Sequence, residues 1–473
     1  MLRFTAALLT LVILGGCVVG PDYRRPAVDM PQSWRIEEKE ARGTANTLWW
    51  EQFGDAALNE LITIAIRENK DIKVASYRVE EFRAQYIVAR APLFPQVNGE
   101  ASIQESRLTE LGQEPLTPQV ENPATIYGTS LNATWEIDLW GQLRRATEAA
   151  RAELLSTEEA RKTVVLTLVT SVAGAYINLR DLDRQLEIAQ KTAKTREEYY
   201  RVFRLRFQEG YISELELSQV KSQYEEALAT IPAIEKAIAQ QEDALSILLG
   251  RNPGPIPRGK GIDELTLPAV PSGIPSDLLN RRPDIRQAEQ DLIAANARIG
   301  IAKAQYFPSI SLTGAFGVSG IQLSKLFSGP AQAWNWTAPV TAPIFTGGAI
   351  SGQVKSAEAV QQQSLVRYQQ SIQKAFREVN DALVDQKRSR EQLEAQGRQV
   401  EALRTYARVA RQRYNNGYTS YIEVLDAERS LFNAELSYTE TKGTLFHALV
   451  NVYKAMGGGW IVEAGRMTAT GKE

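Results

Sequence analysis

His447 and Cys17 are the single histidine and single cysteine of this 473-residue chain. Zinc centres, Cys–His nucleophiles and disulfide frameworks all draw on several such side chains, so one of each all but excludes them. No Gly-x-Ser-x-Gly elbow, phosphate loop or paired-carboxylate pocket stands out, and a lone histidine leaves little for acid–base work. With four methionines besides, metal storage is disfavoured, although rings of acids would hold a divalent cation weakly. The formal charge is −2, and no basic face points to nucleic acid. The chain reads as something other than an enzyme, with no metal site and no cofactor.

Cys17 offers a different chemistry. Arg3 supplies a positive flank and Ala6 to Leu14 an apolar core too short to span a bilayer, the pattern of a secretory signal. It ends in Leu14-Gly15-Gly16-Cys17, which resembles a bacterial lipoprotein box. That resemblance implies cleavage after residue 16, then diacylglycerol on the Cys17 thiol and an N-acyl chain on its new amino terminus. Each buried methylene favours the bilayer by about 0.8 kcal/mol. Val18 follows, not the aspartate of inner-membrane lipoproteins, which implies the outer membrane.

Four segments alternate with period two. Val97-Gly99-Ala101-Ile103 and Tyr127 to Ile137 carry apolar or small residues on odd positions, with polar ones between. Ile310 to Val318 and Trp334 to Ile344 repeat the pattern on even positions. Runs of about 9–13 residues suit tilted membrane strands, one face to lipid and the other to water. Four strands cannot close a barrel, and an open edge in hydrocarbon strands backbone donors at several kcal/mol each, so closure demands several copies. Pro339 and Pro343 predict bends near the ends of the fourth strand. Polar loops join each pair, near Ser106–Thr125 and Ser319–Ala333.

The elements that position these strands come in two sets. Arg206 to Glu216 recurs as Arg413 to Glu423, a shift of 417 − 210 = 207 between the two glycines. Asp71 to Pro95 recurs as Asp284 to Pro308, a shift of 284 − 71 = 213, so the first half holds the longer hairpin loop. An internal duplication rich in long helices describes a wall or tube built by symmetry. Proline-free helices are predicted over Gln142–Glu209 and Gln353–Asn416, with seams such as Leu182, Leu186, Ala189, Ala193, Tyr200, Phe203 and Phe207. Leu393, Val400, Leu403, Ala407, Ala410 and Tyr414 keep the phase in the second half. Gly210 and Gly417 are predicted as left-handed helix caps at two hairpin turns, and Ser213-x-x-Glu216 and Ser420-x-x-Glu423 as capping boxes opening the returning helices. Shorter helices precede the strand pairs, Leu58 to Ala89 and Pro283 to Ala304. The expected division is a signal peptide 1–16, a lipidated tether 17–57, repeats at 58–250 and 277–457, an exposed Pro/Gly-rich linker 251–276 and a tail 458–473.

Box, strands and hairpins together resemble the outer-membrane factor family, the lipidated TolC/OprM-like efflux ducts. Further motifs agree: Gly20-Pro21-Asp22-Tyr23, Leu279-Asn280-Arg281-Arg282-Pro283-Asp284-Ile285, Phe307-Pro308-Ser309-Ile310-Ser311-Leu312, Pro343-Ile344-Phe345-x-Gly347-Gly348 and Leu425-Asp426-Ala427-x-Arg429-Ser430. The match covers essentially the whole mature chain. It implies a mixed α and β membrane protein whose homotrimer closes a twelve-stranded β-barrel in the outer membrane above a periplasmic α-helical barrel. The implied partners are a periplasmic adaptor and an inner-membrane pump of the resistance–nodulation–division class.

The resemblance also implies a tip closed by acid rings and by bonds between hairpins. Carried over, the gate residues are Glu423 and Asp426, one turn apart on one face, with Ile422 as an apolar constriction. Arg413, Tyr414 and Arg429 align with positions that lock hairpins together. Thr419 departs from the arginine that some members place there, which leaves that lock open. Glu423 reads equally as the capping-box glutamate, Asp426 as a solvated flank charge, Tyr414 as core, and Arg429 as the helix partner of Glu423 or Asp426. Against an efflux duct stand the duct of a type I secretion or heavy-metal exporter, a lipid-anchored hydrolase, and a coiled-coil envelope scaffold.

Overall fold

The computed structural model describes residues 18–31, 33–36, 48–109, 121–271 and 275–457. Cys17, the signal segment, part of the first hairpin loop and the tail lie outside the described residues. The chain divides into two compact units. One gathers Val79–Thr157 and Ala288–Tyr368 with the N-terminal stretch to Ala27; the other gathers Val28–Arg78, Glu158–Gln287 and Gln369 onward.

The first unit carries the sheet. Strands β1 (Gln96–Ser106), β2 (Ala124–Glu136), β3 (Ser309–Gly320) and β4 (Gln332–Thr337) pair antiparallel in the order β1-β2-β3-β4, and β5 (Val340–Thr341) pairs with β3. Register decides what the alternation means. Gly99 lies opposite Leu131, Leu131 opposite Phe316 and Phe316 opposite Trp334, so the apolar sets of all four strands share one face. Asn98, Asn132, Ala315 and Asn335 line up on the other. A slip of one residue in any pair would mix the two sets. The apolar face is open: Leu131 is 59% and Trp334 72% exposed in the single chain. β1 and β4 are edges.

The fourth strand is shorter than its alternation predicts. It breaks at Ala338-Pro339, resumes for two residues and ends before Pro343, leaving Ile344 outside the ladder. Proline has no N–H to give a neighbouring strand. The Pro339 carbonyl still accepts from Ser311 N at 3.2 Å.

The stretch after Cys17, expected as a tether, is tied down. Val19 N donates to the Trp140 carbonyl, Asn296 donates to the Pro21 carbonyl, Arg145 pairs with Asp22 at 2.8 Å, and Tyr23 and Arg25 both bond Glu289. A Cβ on Gly20, at φ 104°, would lie 2.5 Å from the Gly300 Cα, so only glycine permits this crossing. Trp140 also stacks on Phe307 at 4.6 Å and donates to the Pro308 carbonyl, which gives the Phe-Pro motif a structural task.

The helices repeat in length as well as in sequence. Helix α1 (Ala56–Glu68) and α2 (Lys70–Arg90) precede the first strand pair. They are followed by α3 (Gln142–Gln208) and α4 (Glu214–Leu248). In the second half come α5 (Pro283–Ala304), α6 (Ala349–Asn415) and α7 (Tyr421–Ala455). Both α3 and α6 have 67 residues, and both α4 and α7 have 35. The single helix expected over Leu58–Ala89 is split at Asn69. Its side chain accepts from Asp71 N and Ile72 N, opening α2, and donates to the Leu248 carbonyl.

The core of the second unit joins Trp49, Phe53, α1, the middle of α3 and the ends of α4 and α7. The apolar run of α3, long enough to cross a bilayer, is spent here: Val169, Tyr176 and Ile177 are fully buried. The connector 251–276, expected as exposed, packs on this core through Ile256, Ile262 and Leu265. Asp55 caps α1, accepts from Tyr176 Oη at 2.8 Å and from Lys260 N at 3.0 Å, and so fastens the connector. Composition announced a linker; three well-placed apolar side chains outweigh it, at roughly 1.5–3 kcal/mol each when fully buried. Arg282 of the Arg-Arg-Pro motif is a buried clasp, bonding Asp284, Glu378 and the Ala455 carbonyl. His447 lies 3.2 Å from the Cβ position of Gly174, and burial lowers its basicity: it is a neutral packing residue.

Candidate functional site

Both hairpin turns lie in the second unit. After α3, Gly210 adopts φ 75° and Tyr211 N reaches back to the Arg206 carbonyl at 2.8 Å. After α6, Gly417 adopts φ 76° and Tyr418 N bonds the Arg413 carbonyl at 2.9 Å. Both glycines occupy the left-handed region that a side chain disfavours, as the spacing predicts. The returning helices then differ. Ser213 and Glu216 form a complete capping box, the carboxylate accepting from Ser213 N at 2.9 Å. Ser420 makes no side-chain cap bond. Glu423 instead accepts from the Thr419 hydroxyl and faces Arg413 at 3.6 Å. The second capping box is therefore absent. The residue after the turn differs between the halves: Thr419 offers a hydroxyl donor where the first half has Ile212.

Aromatic rings join one hairpin to the other. Phe203 of α3 meets Tyr421 of α7 at 4.3 Å between centroids and Tyr414 of α6 at 6.3 Å, and Tyr414 meets Tyr421 edge-on at 5.0 Å. Val220, Ala410, Val424 and Ala427 close the cluster beneath them. Above it Arg206 donates to the Tyr414 hydroxyl at 3.2 Å. Arg411 pairs with Glu428 and lies 3.8 Å over the Tyr199 ring. Burial pushes the Tyr421 phenol up to about 12, so it stays neutral across the physiological range.

The acids sit on the exposed side of this cluster. Asp426 pairs with Arg429 at 3.0 Å along its own helix, the bland alternative for Arg429. Arg413 reaches Glu423 but stays within its hairpin, whereas Tyr414 crosses to the other. Ile422, 60% exposed, projects beside them. Exposed ion pairs contribute at most about 1 kcal/mol each. The ring cluster adds about 0.5–1.5 kcal/mol per aromatic pair beyond burial, so it holds the hairpins together. Among the described residues no group of three or more His, Cys, Asp or Glu side chains converges as a metal site.

Two members of this cluster escape sequence reasoning, Tyr421 and Arg206. The signal was present in the duplication. Tyr421 occupies the place of Glu214 in the first half, and Tyr414 that of Phe207, so the seam changes where the halves must meet. Phe207, predicted in the seam, is exposed, because Phe203 already fills the contact.

Comparison with known proteins places this geometry in context. Residues 61–251 and 274–458 match the family model of outer membrane efflux proteins. A toluene efflux pump outer membrane protein of Pseudomonas putida, TtgC, is 35% identical over 470 residues, covering 97% of this chain and 96% of that protein. The cation efflux system protein CusC of Escherichia coli is 36% identical over 452 residues, covering 94% and 97%. The open-state crystal structure of the Neisseria gonorrhoeae MtrE outer membrane channel superposes with a TM-score of 0.86 at 31% identity, covering 94% of this chain and 99% of that one.

Proposed function

The chain belongs to the outer membrane efflux protein family, and from that premise we propose that it is the outer-membrane exit duct of a tripartite efflux system. The observation that carries this reading is the register of the sheet. Four strands bring their apolar residues to one face and their polar residues to the other, with both edge strands open. Unpaired edges are untenable in hydrocarbon, so sister copies must complete the ring. Three copies supply twelve strands, a count that closes with a water-filled interior.

The protein does no chemistry. A proton-driven inner-membrane pump supplies the work, and a periplasmic adaptor couples it to the hairpin turns at Gly210 and Gly417. There Glu423, Asp426 and Ile422 form the constriction, and Tyr414 with Arg413 and Arg429 restrains it. Carboxylates repeated around a narrow axis favour cations. Lipid on Cys17 anchors the N-terminus in the same membrane. Cargo is small toxic compounds, drugs or metal ions. Relatives named for toluene and for cations match this chain about equally, at 35% and 36% identity, so cargo choice belongs to the pump.

The test is electrical and hydrodynamic. Detergent-extracted protein should sediment as a trimer and form low-conductance, cation-preferring channels in planar bilayers. A strictly monomeric protein that never conducts would overturn the duct.

A further inference from the structure

We propose that Glu100 is a second selectivity element, a lumen carboxylate midway along β1 that biases the membrane section of the duct toward cationic solutes. This rests on the duct reading above, because it needs the polar face of the sheet to be the water-filled one.

The sheet is nearly bare of charge. Glu100, Glu105 and Glu136 are the acidic residues of the five strands, and no lysine or arginine lies in them. Glu105 belongs to the apolar face near the end of β1, and Glu136 is the last residue of β2. Glu100 alone stands mid-strand on the polar face. Among the described residues no cation pairs with it. Its carboxylate accepts from the Asn132 amide at 3.3 Å.

The row across the sheet amplifies this charge. Glu100 lies opposite Ser130, Ser130 opposite Gly317, and Gly317 opposite Ala333. The other strands thus present only small side chains at this level. Gly317 must be small: a Cβ there would fall 2.2 Å from the Thr129 carbonyl oxygen. A hollow of about 290 Å³ lies over the row, bounded by Glu100, Ser130, Gly317 and Asn335 among others. In a trimer three such carboxylates share one level with nothing long enough to cover them. A like-charged ring with low-dielectric walls concentrates counter-ions along its axis.

The test places a reporter thiol beside the acid. In Ser130→Cys, directly opposite Glu100, reaction rates are measured with cationic and anionic methanethiosulfonates, in the full chain embedded in proteoliposomes, the unsubstituted chain serving as blank. A carboxylate about 5–6 Å away favours the cationic over the anionic reagent by about tenfold. Adding Glu100→Gln, close in shape, should remove most of that preference, and Glu100→Lys should reverse it. Because the thiolate fraction affects both reagents alike, the rate ratio reports only the local potential. A ratio unchanged by both substitutions overturns the inference while leaving the duct intact. If Ser130→Cys reacts with neither reagent while Leu131→Cys on the opposite face reacts with both, the duct reading falls, and this one with it.

Discussion

Glu216 and Glu423 occupy matching places in the two halves, 423 − 216 = 207 residues apart, yet their carboxylates have different partners. Glu216 closes a capping box on Ser213 N at 2.9 Å; Glu423 turns to the Thr419 hydroxyl and toward Arg413 at 3.6 Å. Duplication supplied two copies of one helix start, and the second has been released from capping.

That difference predicts unequal costs. Ser213→Ala should destabilise the first turn of α4 by about 1 kcal/mol, the usual loss for a cap. Ser420→Ala at the start of α7 should cost only a few tenths of a kcal/mol, because no cap bond is lost. Hydrogen exchange at the two helix starts would read both. Equal acceleration would show that the halves are capped alike.

At the tip, Glu423→Ala with Asp426→Ala should raise single-channel conductance and weaken cation preference. The substitutions remove the exposed Asp426 and the half-buried Glu423 with their arginine pairs. Stability should change by no more than about 1 kcal/mol per pair. A double mutant with wild-type conductance and selectivity would remove these acids from the constriction.

The aromatic junction separates packing from hydrogen bonding. Tyr421→Ala removes a buried ring in contact with Phe203 and Tyr414 and should cost about 3–5 kcal/mol. Tyr414→Phe keeps the ring and loses only the bond from Arg206, about 1 kcal/mol. Limited proteolysis at the hairpins should therefore accelerate sharply in the first variant and slightly in the second.

A buried acid makes stability depend on pH. Asp181 is held against Gly443 in the seam of α3 and α7, and burial, with Glu440 nearby, pushes its carboxyl up to about 6. Gln185 opposes the shift by bonding the charged form. A folded-state pKa above the unfolded one means that the native state binds the extra proton. Stability from this group is thus full below about pH 4, declines as pH rises toward 6, and is flat above. Asp181→Asn should remove that slope and raise stability at pH 7.5 by about 1–3 kcal/mol. Melting curves between pH 4 and 8 that keep the wild-type slope in the variant would assign it to another group.

Cys17→Ser should still assemble, because closure depends on the strands, but should be poorly retained in the membrane fraction. Equal retention would deny the lipid any anchoring role.

Sequence reading succeeded where one periodicity or one residue decides the outcome. Period-two alternation located the strands, three-and-four spacing located the seams, and glycine marked both left-handed turns at Gly210 and Gly417. These are local consequences of backbone geometry, so they are visible in any short window. The Pro339 break showed only as a bend, because a proline announces the lost donor and not how far the ladder resumes.

What the chain alone determined is its repeat and the kind and order of its strands and helices. Tertiary structure decided which faces coincide across the sheet, that Asn69 ends one helix by reaching Leu248, that the connector is buried, and that Tyr421 rather than Phe207 fills the junction. Each of these depends on partners roughly 180–220 residues away, as in Leu131 with Phe316, Asn69 with Leu248, Asp55 with Lys260 and Phe203 with Tyr421, where no local preference reaches and only the closing of contacts chooses.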